Sequence, residues 1–167
     1  MLVPVERLFE GHLNVANVQR SVAFYTQVLG LPLAAIFPER KVAFVWVGSP
    51  GQSMLGLWEV ASSPHCPASH LAVSVALDDL LRAVSVLRQA GITPLGFTGE
   101  ATDQPVVLAW MPAASIYFRD PDNNLLEFIT MLAEPARCDL GIVSWRDWRR
   151  RNADERSAEE HCSDVNC

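Results

Sequence analysis

His12-Leu-Asn-Val and, later, His70-Leu-Ala-Val-Ser-Val decide the reading of this chain. The two stretches begin alike and stand 70 − 12 = 58 residues apart. In each, every second residue is apolar, the period of a strand with one face buried. A helix pattern follows each strand. After the first, Val18, Val22, Tyr25 and Leu29 recur at helical spacing, with Asn17 placed to cap the N-terminus. After the second, Leu77, Leu80, Leu81, Val84 and Leu87 do the same. Gly30 and Gly91 stand where the two helices should stop and a left-handed residue is wanted. Leu31-Pro-Leu and Ile92-Thr-Pro-Leu come next. Further strands are predicted at 41–48 and 53–60 in the first half, and at about 105–110, 114–119 and 125–131 in the second. Each half is thus a strand, a helix and two or three more strands. One half alone is too small for a good core, so two packed together make an α+β domain.

Ala61-Ser-Ser-Pro-His-Cys-Pro separates the halves and is a linker by composition. The expected organisation is a domain over 5–132, with module one at about 5–60, a linker at 61–68 and module two at about 69–132. Residues 133–167 form a C-terminal extension. In it, Ser144 is placed to cap a short helix that packs Trp145 and Trp148 on the body, and a disordered polar tail is expected to follow. Half of the 167 residues are hydrophobic and 19% are charged, which supports a real core and excludes global disorder. No apolar run reaches the roughly 18 residues of a membrane span. Met1-Leu-Val-Pro-Val-Glu-Arg lacks the basic start and apolar stretch of a signal peptide, so a cytoplasmic protein is expected. The net charge of −6 argues against nucleic acid as a partner, because phosphates need a basic face. The four cysteines show no CxxC spacing and are expected as reduced thiols.

Three ionisable residues interrupt apolar strands. His12 and His70 open the two matching strands, and Glu127 lies in Asn124-Leu-Leu-Glu-Phe-Ile. By alternation His12 shares a face with Asn14, His70 with Ala72 and Ser74, and Glu127 with Leu125 and Ile129. A carboxylate inside an apolar strand is costly unless paired or bound. Two imidazoles and a carboxylate suit Fe(II), Mn(II), Zn(II) or Ni(II) and leave open positions for a substrate. A lone histidine near a strand start is more often a hydrogen-bonded structural residue, so spacing alone leaves both readings open.

His12-Leu-Asn-Val, Asn17-Val-Gln-Arg-Ser-Val-Ala-Phe-Tyr25 and Val28-Leu-Gly-Leu in the first half resemble the vicinal oxygen chelate superfamily. So do His70-Leu-Ala-Val-Ser-Val and Ser115-Ile-Tyr-Phe-Arg-Asp-Pro-Asp-Asn-Asn-Leu-Leu-Glu-Phe128 in the second. That superfamily holds glyoxalases, bleomycin-resistance proteins and extradiol dioxygenases. The resemblance covers about 5–132 and implies two paired βαβββ modules, as curved sheets around a central metal site. It implies His12, His70 and Glu127 as three of four ligand positions, a divalent metal as cofactor, a small-molecule substrate and a homodimer that completes each site across its interface.

Gly56 falls on the fourth ligand position and has no side chain to ligate. This departs from glyoxalase I, where a second glutamate is ligand and acid/base. Glu59 is nearby but predicted on the opposite face. Fosfomycin-resistance thiol transferases and extradiol dioxygenases use two His and one Glu. The resemblance to the thiol transferases places Ser115 and Tyr117 at the site, with Tyr117 a candidate proton donor. Asn14, where that branch has threonine, is a candidate substrate contact. Trp46, Trp58 and Trp110 are expected to line an apolar surface, with core packing the equal alternative. Asp120-Pro-Asp-Asn is predicted to be a structural turn, with Arg119 in a surface ion pair to Asp120 or Asp122. The expected function is a metalloenzyme of lyase, isomerase, thiol-transfer or dioxygenase chemistry. The alternative is a metal-free drug- or metabolite-binding protein of the bleomycin-resistance type.

Overall fold

The computed structural model describes residues 7–60 and 68–164, with side chains through 154. The linker expected at 61–68 falls, apart from its last residue, outside the described residues. Cys66, Cys167 and the side chain of Cys162 also fall outside; Cys138 is a free, exposed thiol.

The first half runs β1 (Glu10–Val15), α1 (Val18–Ala23), β2 (Leu33–Phe37), β3 (Val42–Val47) and β4 (Ser53–Glu59). The second runs β5 (His70–Ser74), α2 (Leu77–Gln89), β6 (Val106–Leu108), β7 (Ala113–Arg119) and β8 (Leu125–Met131). A three-residue strand β9 (Ile142–Ser144) and a helix α3 (Trp145–Asp164) close the chain. The first sheet has the order β1-β4-β3-β2 and the second β5-β8-β7-β6-β9. Apart from β9 the two orders are the same, so the sequence repeat is also a repeat of topology. This is the α+β fold of two βαβββ modules that the sequence predicts.

By contacts the chain divides into two units. Described residues up to Leu71 together with Arg119–Leu125 form one; Ala72–Phe118 with the described residues from Leu126 onward form the other.

In the first unit the alternation of β1 is realised: Leu13 and Val15 are buried, while His12 and Asn14 are exposed. Asn17 caps α1, its Oδ1 accepting from Arg20 N at 2.8 Å. The carboxylate of Glu59 also serves this end, accepting from Val18 N at 3.1 Å and from Lys41 Nζ at 3.2 Å. The Val18 amide first, and Lys41 next, hold the Glu59 carboxyl below the usual range. After Ala23 the helix widens into a π turn over Phe24–Val28 and stops at Gly30, whose φ of 71° a residue with a Cβ rarely adopts.

The turn before β8 is fixed by carboxylates. Asp120 Oδ1 accepts from the backbone N of Asp122 (2.9 Å) and of Asn124 (2.8 Å). Its Oδ2 accepts from Tyr25 Oη and from Asn124 Nδ2, both at 2.9 Å. Burial, then the Asp120 charge, push the Tyr25 phenol far above its ordinary pKa. Asp122 accepts from Arg20, from Ser21 Oγ and from Ala16 N. Arg119 instead donates to the carbonyl of Asn123 at 2.9 Å, so the ion pair predicted for it goes to Arg20.

In the second unit β7 is buried on both faces up to Arg119. α2 buries Leu80, Ala83, Val84 and Leu87. β9 pairs antiparallel with the outer edge of β6, Val107 opposite Val143. Ser144 then caps α3: its Oγ accepts from Asp147 N at 3.1 Å and donates to Asp147 Oδ2 at 2.8 Å. Trp148 is fully buried one turn later. No helix among the described residues is long and apolar enough to cross a membrane.

Candidate functional site

The pairing of the first sheet sets the surroundings of His12. β1 runs parallel to β4 with His12 opposite Gly56, and β3 runs antiparallel to β4 with Phe44 opposite Gly56. Gly56 is therefore flanked by an imidazole on one strand and a phenyl ring on the other. Strand alternation brings Glu10, Met54, Trp58, Val42 and Trp46 to the same face. The His12 ring lies 5.4 Å from the Trp58 ring and 6.4 Å from Phe44, centroid to centroid. Phe44 and Trp58 meet edge to face at 6.5 Å. The Arg40 guanidinium sits 5.2 Å above the Trp58 ring.

This packing needs glycine. A Cβ built on Gly56 would stand 2.7 Å from His12 Cδ2, 3.0 Å from Trp58 Nε1 and 3.1 Å from Phe44 Cε1. Position 56, which the resemblance implies as a fourth ligand position, thus holds no side chain, and the ring of His12 stands where one would begin. Trp58 Nε1, a donor only, is buried without a hydrogen-bond partner among the described residues. The His12 side chain is about half exposed, and its Nε2 contacts a carboxylate oxygen of Glu10.

In the second unit, β7 and β8 bring three predicted residues together. Ser115 Oγ donates to Glu127 Oε1 at 2.6 Å, with both side chains buried. Tyr117 lies two residues along β7 from Ser115, its ring edge-on to Phe97 at 6.2 Å. Burial first, then the charge of the Glu127 carboxylate and a hydrogen bond to it, push the Tyr117 phenol up to about 12; Ser115 pulls slightly the other way. Tyr117 therefore keeps its proton at neutral pH and is a donor there, not a base. The two hydroxyls also meet the cost of burying a carboxylate on an apolar strand.

His70 opens β5 and is exposed. Asn14 is exposed on β1, its carbonyl accepting from Asn124 Nδ2 at 3.2 Å. Trp46 is half-buried on β3 and Trp110 is 57% exposed in the turn after β6. Among the described residues, no group of three His, Cys, Asp or Glu side chains is set to hold a metal ion. Glu10, Phe44 and Arg40 were not predicted. Glu10 stands two residues before His12, so the period of the strand already carried that signal; the other two meet His12 and Trp58 only through pairing.

Comparison with known proteins agrees with the fold. Residues 6–128 match the family model described as the glyoxalase/bleomycin resistance protein/dioxygenase superfamily. A lactoylglutathione lyase of Salmonella typhimurium is 31% identical over 132 residues, which cover 74% of this chain and 91% of the relative. An integron cassette protein from the mobile metagenome of the Halifax Harbour sewage outfall superposes with a TM-score of 0.66 at 29% identity, over 76% of this chain and all of that one. A lactoylglutathione lyase from Agrobacterium tumefaciens shares the fold, with a TM-score of 0.58 at 17% identity over 75% of this chain and 94% of its own.

Proposed function

Because this chain belongs to the glyoxalase/bleomycin resistance protein/dioxygenase superfamily, we propose that it is a metal-dependent enzyme acting on a small oxygenated molecule. The observation that carries the reading is His12, a half-exposed imidazole on the open face of a sheet, already paired with a carboxylate. The donors fit a first-row divalent ion such as Fe, Mn, Zn or Ni: imidazole from His12 and His70, carboxylate from Glu127. Such an ion supplies Lewis acidity toward two neighbouring oxygens of a substrate.

The chain's own residues define the remainder. Trp58, whose ring lies beside His12, is a candidate apolar contact for the substrate. Arg40, above the same ring, offers positive charge to an anionic group. Tyr117 holds its proton at neutral pH and can deliver it to a developing oxyanion. Asn14, Trp46, Trp110 and Ser115 are the further candidates for contact with substrate. The lyase relatives suggest substrate chemistry of their kind, but glycine at position 56 argues against their particular activity. Thiol transfer and dioxygenation, which the resemblance associates with three ligands, suit the chain better. A cytoplasmic homodimer, with the site shared between copies, completes the proposal; elution as a monomer on gel filtration would count against the sharing.

The aromatic cluster of His12, Phe44 and Trp58 favours a second reading, a metal-free protein that binds a flat metabolite or drug. Elemental analysis of untagged protein beside His12→Ala separates the two. About one equivalent of metal, lost in the variant, supports the enzyme. No metal after reconstitution leaves the binding protein.

A further inference from the structure

We propose that the first sheet takes a planar aromatic ligand bearing an ionised acid group, and that Arg40 is the residue that selects for the acid. The inference rests on the open face of that sheet being the binding surface, which both readings above share. By register this face carries two rows across the strands: His12, Gly56, Phe44 and Ala35, then Asn14, Trp58, Val42 and Phe37. Leu13, Ala43, Val45, Leu55 and Leu57, which alternate with them, are buried on the other side. Phe37 is 44% exposed and meets Phe44 edge to face at 6.1 Å. Rings gathered on one sheet face favour a flat aromatic guest, which can meet them stacked or edge-on.

Charge sets the guest's substituent. Arg40 lies in the short turn Pro38–Arg40 between β2 and β3, with its guanidinium 5.2 Å from the centroid of the Trp58 ring. A cation resting over a ring keeps its N–H donors, and no carboxylate among the described residues takes those of Arg40. The neighbouring charges are already paired: Lys41 with Glu59, and Glu10 with His12. Arg40 is thus the charge beside these rings that a ligand can match. A guanidinium takes a carboxylate through two parallel hydrogen bonds, which a neutral ring cannot offer. The alternative role for Arg40 is to shield Trp58 from water and nothing more.

The test is calorimetric titration of the full chain with 2-naphthoate and with 2-naphthylmethanol, which share a ring system and differ in charge. Wild type, Arg40→Gln and Phe37→Ala are compared; both positions are exposed, and circular dichroism melts show that each variant is folded. Arg40→Gln should lose at least about tenfold in affinity for naphthoate and leave the alcohol within about twofold. Added salt should weaken naphthoate in wild type and have little effect in Arg40→Gln. Phe37→Ala should weaken both probes alike and keep their ratio. Naphthoate binding unchanged in Arg40→Gln, or lost equally with the alcohol, overturns the role of Arg40. Both probes bound equally by wild type, and both weakened in Phe37→Ala, overturn the acid selectivity and leave the binding face standing. Binding of both probes untouched by Phe37→Ala, or no binding of either to wild type, overturns the face itself, so the two failures are distinct.

Discussion

Gly56→Ala measures how closely His12 rides on β4. The added methyl would stand 2.7 Å from His12 Cδ2, about 0.7 Å inside the 3.4 Å at which ordinary contact begins. Trp58 and Phe44 press from two other sides at 3.0 and 3.1 Å, so the ring that yields is the most exposed one, His12. Overpacking of this kind costs about 1–3 kcal/mol. Replacing glycine by alanine returns about 0.4–1 kcal/mol through the unfolded chain, because φ at position 56 is not positive. A net loss of about 1–2 kcal/mol remains, which lowers the melting temperature by about 2–8 °C for a chain of this length. The displaced imidazole also moves away from Glu10, and on the metal-dependent reading the ion should bind about tenfold more weakly. Scanning calorimetry and Co²⁺ titration read the two effects. An unchanged melting temperature together with unchanged affinity would refute the close approach of His12 to position 56.

Further outcomes are expected at the Asp120 turn and at the two tyrosines. Asp120→Ala removes an acceptor from Tyr25 Oη, Asn124 Nδ2 and two backbone amides, three of these donors belonging to buried residues, and should cost about 3–5 kcal/mol in urea unfolding; Tyr25→Phe, which leaves Asp120 its other partners, should cost about 1–2 kcal/mol. The chain has two tyrosines and both are raised above the usual value near 10, so folded protein should show little phenolate absorption at pH 10–11. Because the unfolded chain loses those protons first, stability should fall as pH rises from about 10 through 12; phenolate at pH 10 in folded protein would contradict the burial of both rings.

The repeat was legible because its signals are local. His-Leu-x-Val alternation, the Asn17 cap and the helix stops at Gly30 and Gly91 depend on neighbours in sequence, and each is found in place. What was missed depends on distant partners. β2 is a five-residue edge strand, Leu-Ala-Ala-Ile-Phe, with no alternation to betray it. β9 has three residues and exists through its pairing with β6. Asp122 takes Arg20, 102 residues away, rather than its neighbour Arg119. The candidate site divides in the same manner. The outward face of His12 follows from strand period, and Glu10 followed from it too without being singled out. The cover of Phe44 and Trp58 over Gly56 required the register of three strands, which no local pattern encodes.

The strand β9 also bears on how the protein is made. The two modules are alike in strand order, yet they are not finished at the same moment of synthesis. The first sheet has all its strands once Glu59 has been added. The second waits for Ile142–Ser144, after every residue of the repeat has already been added. Until then the outer edge of β6 offers unpaired backbone groups to any passing strand. The C-terminal extension thus acts as the last stitch of the second sheet, and a chain ending soon after residue 132 would carry the whole repeat with that seam open.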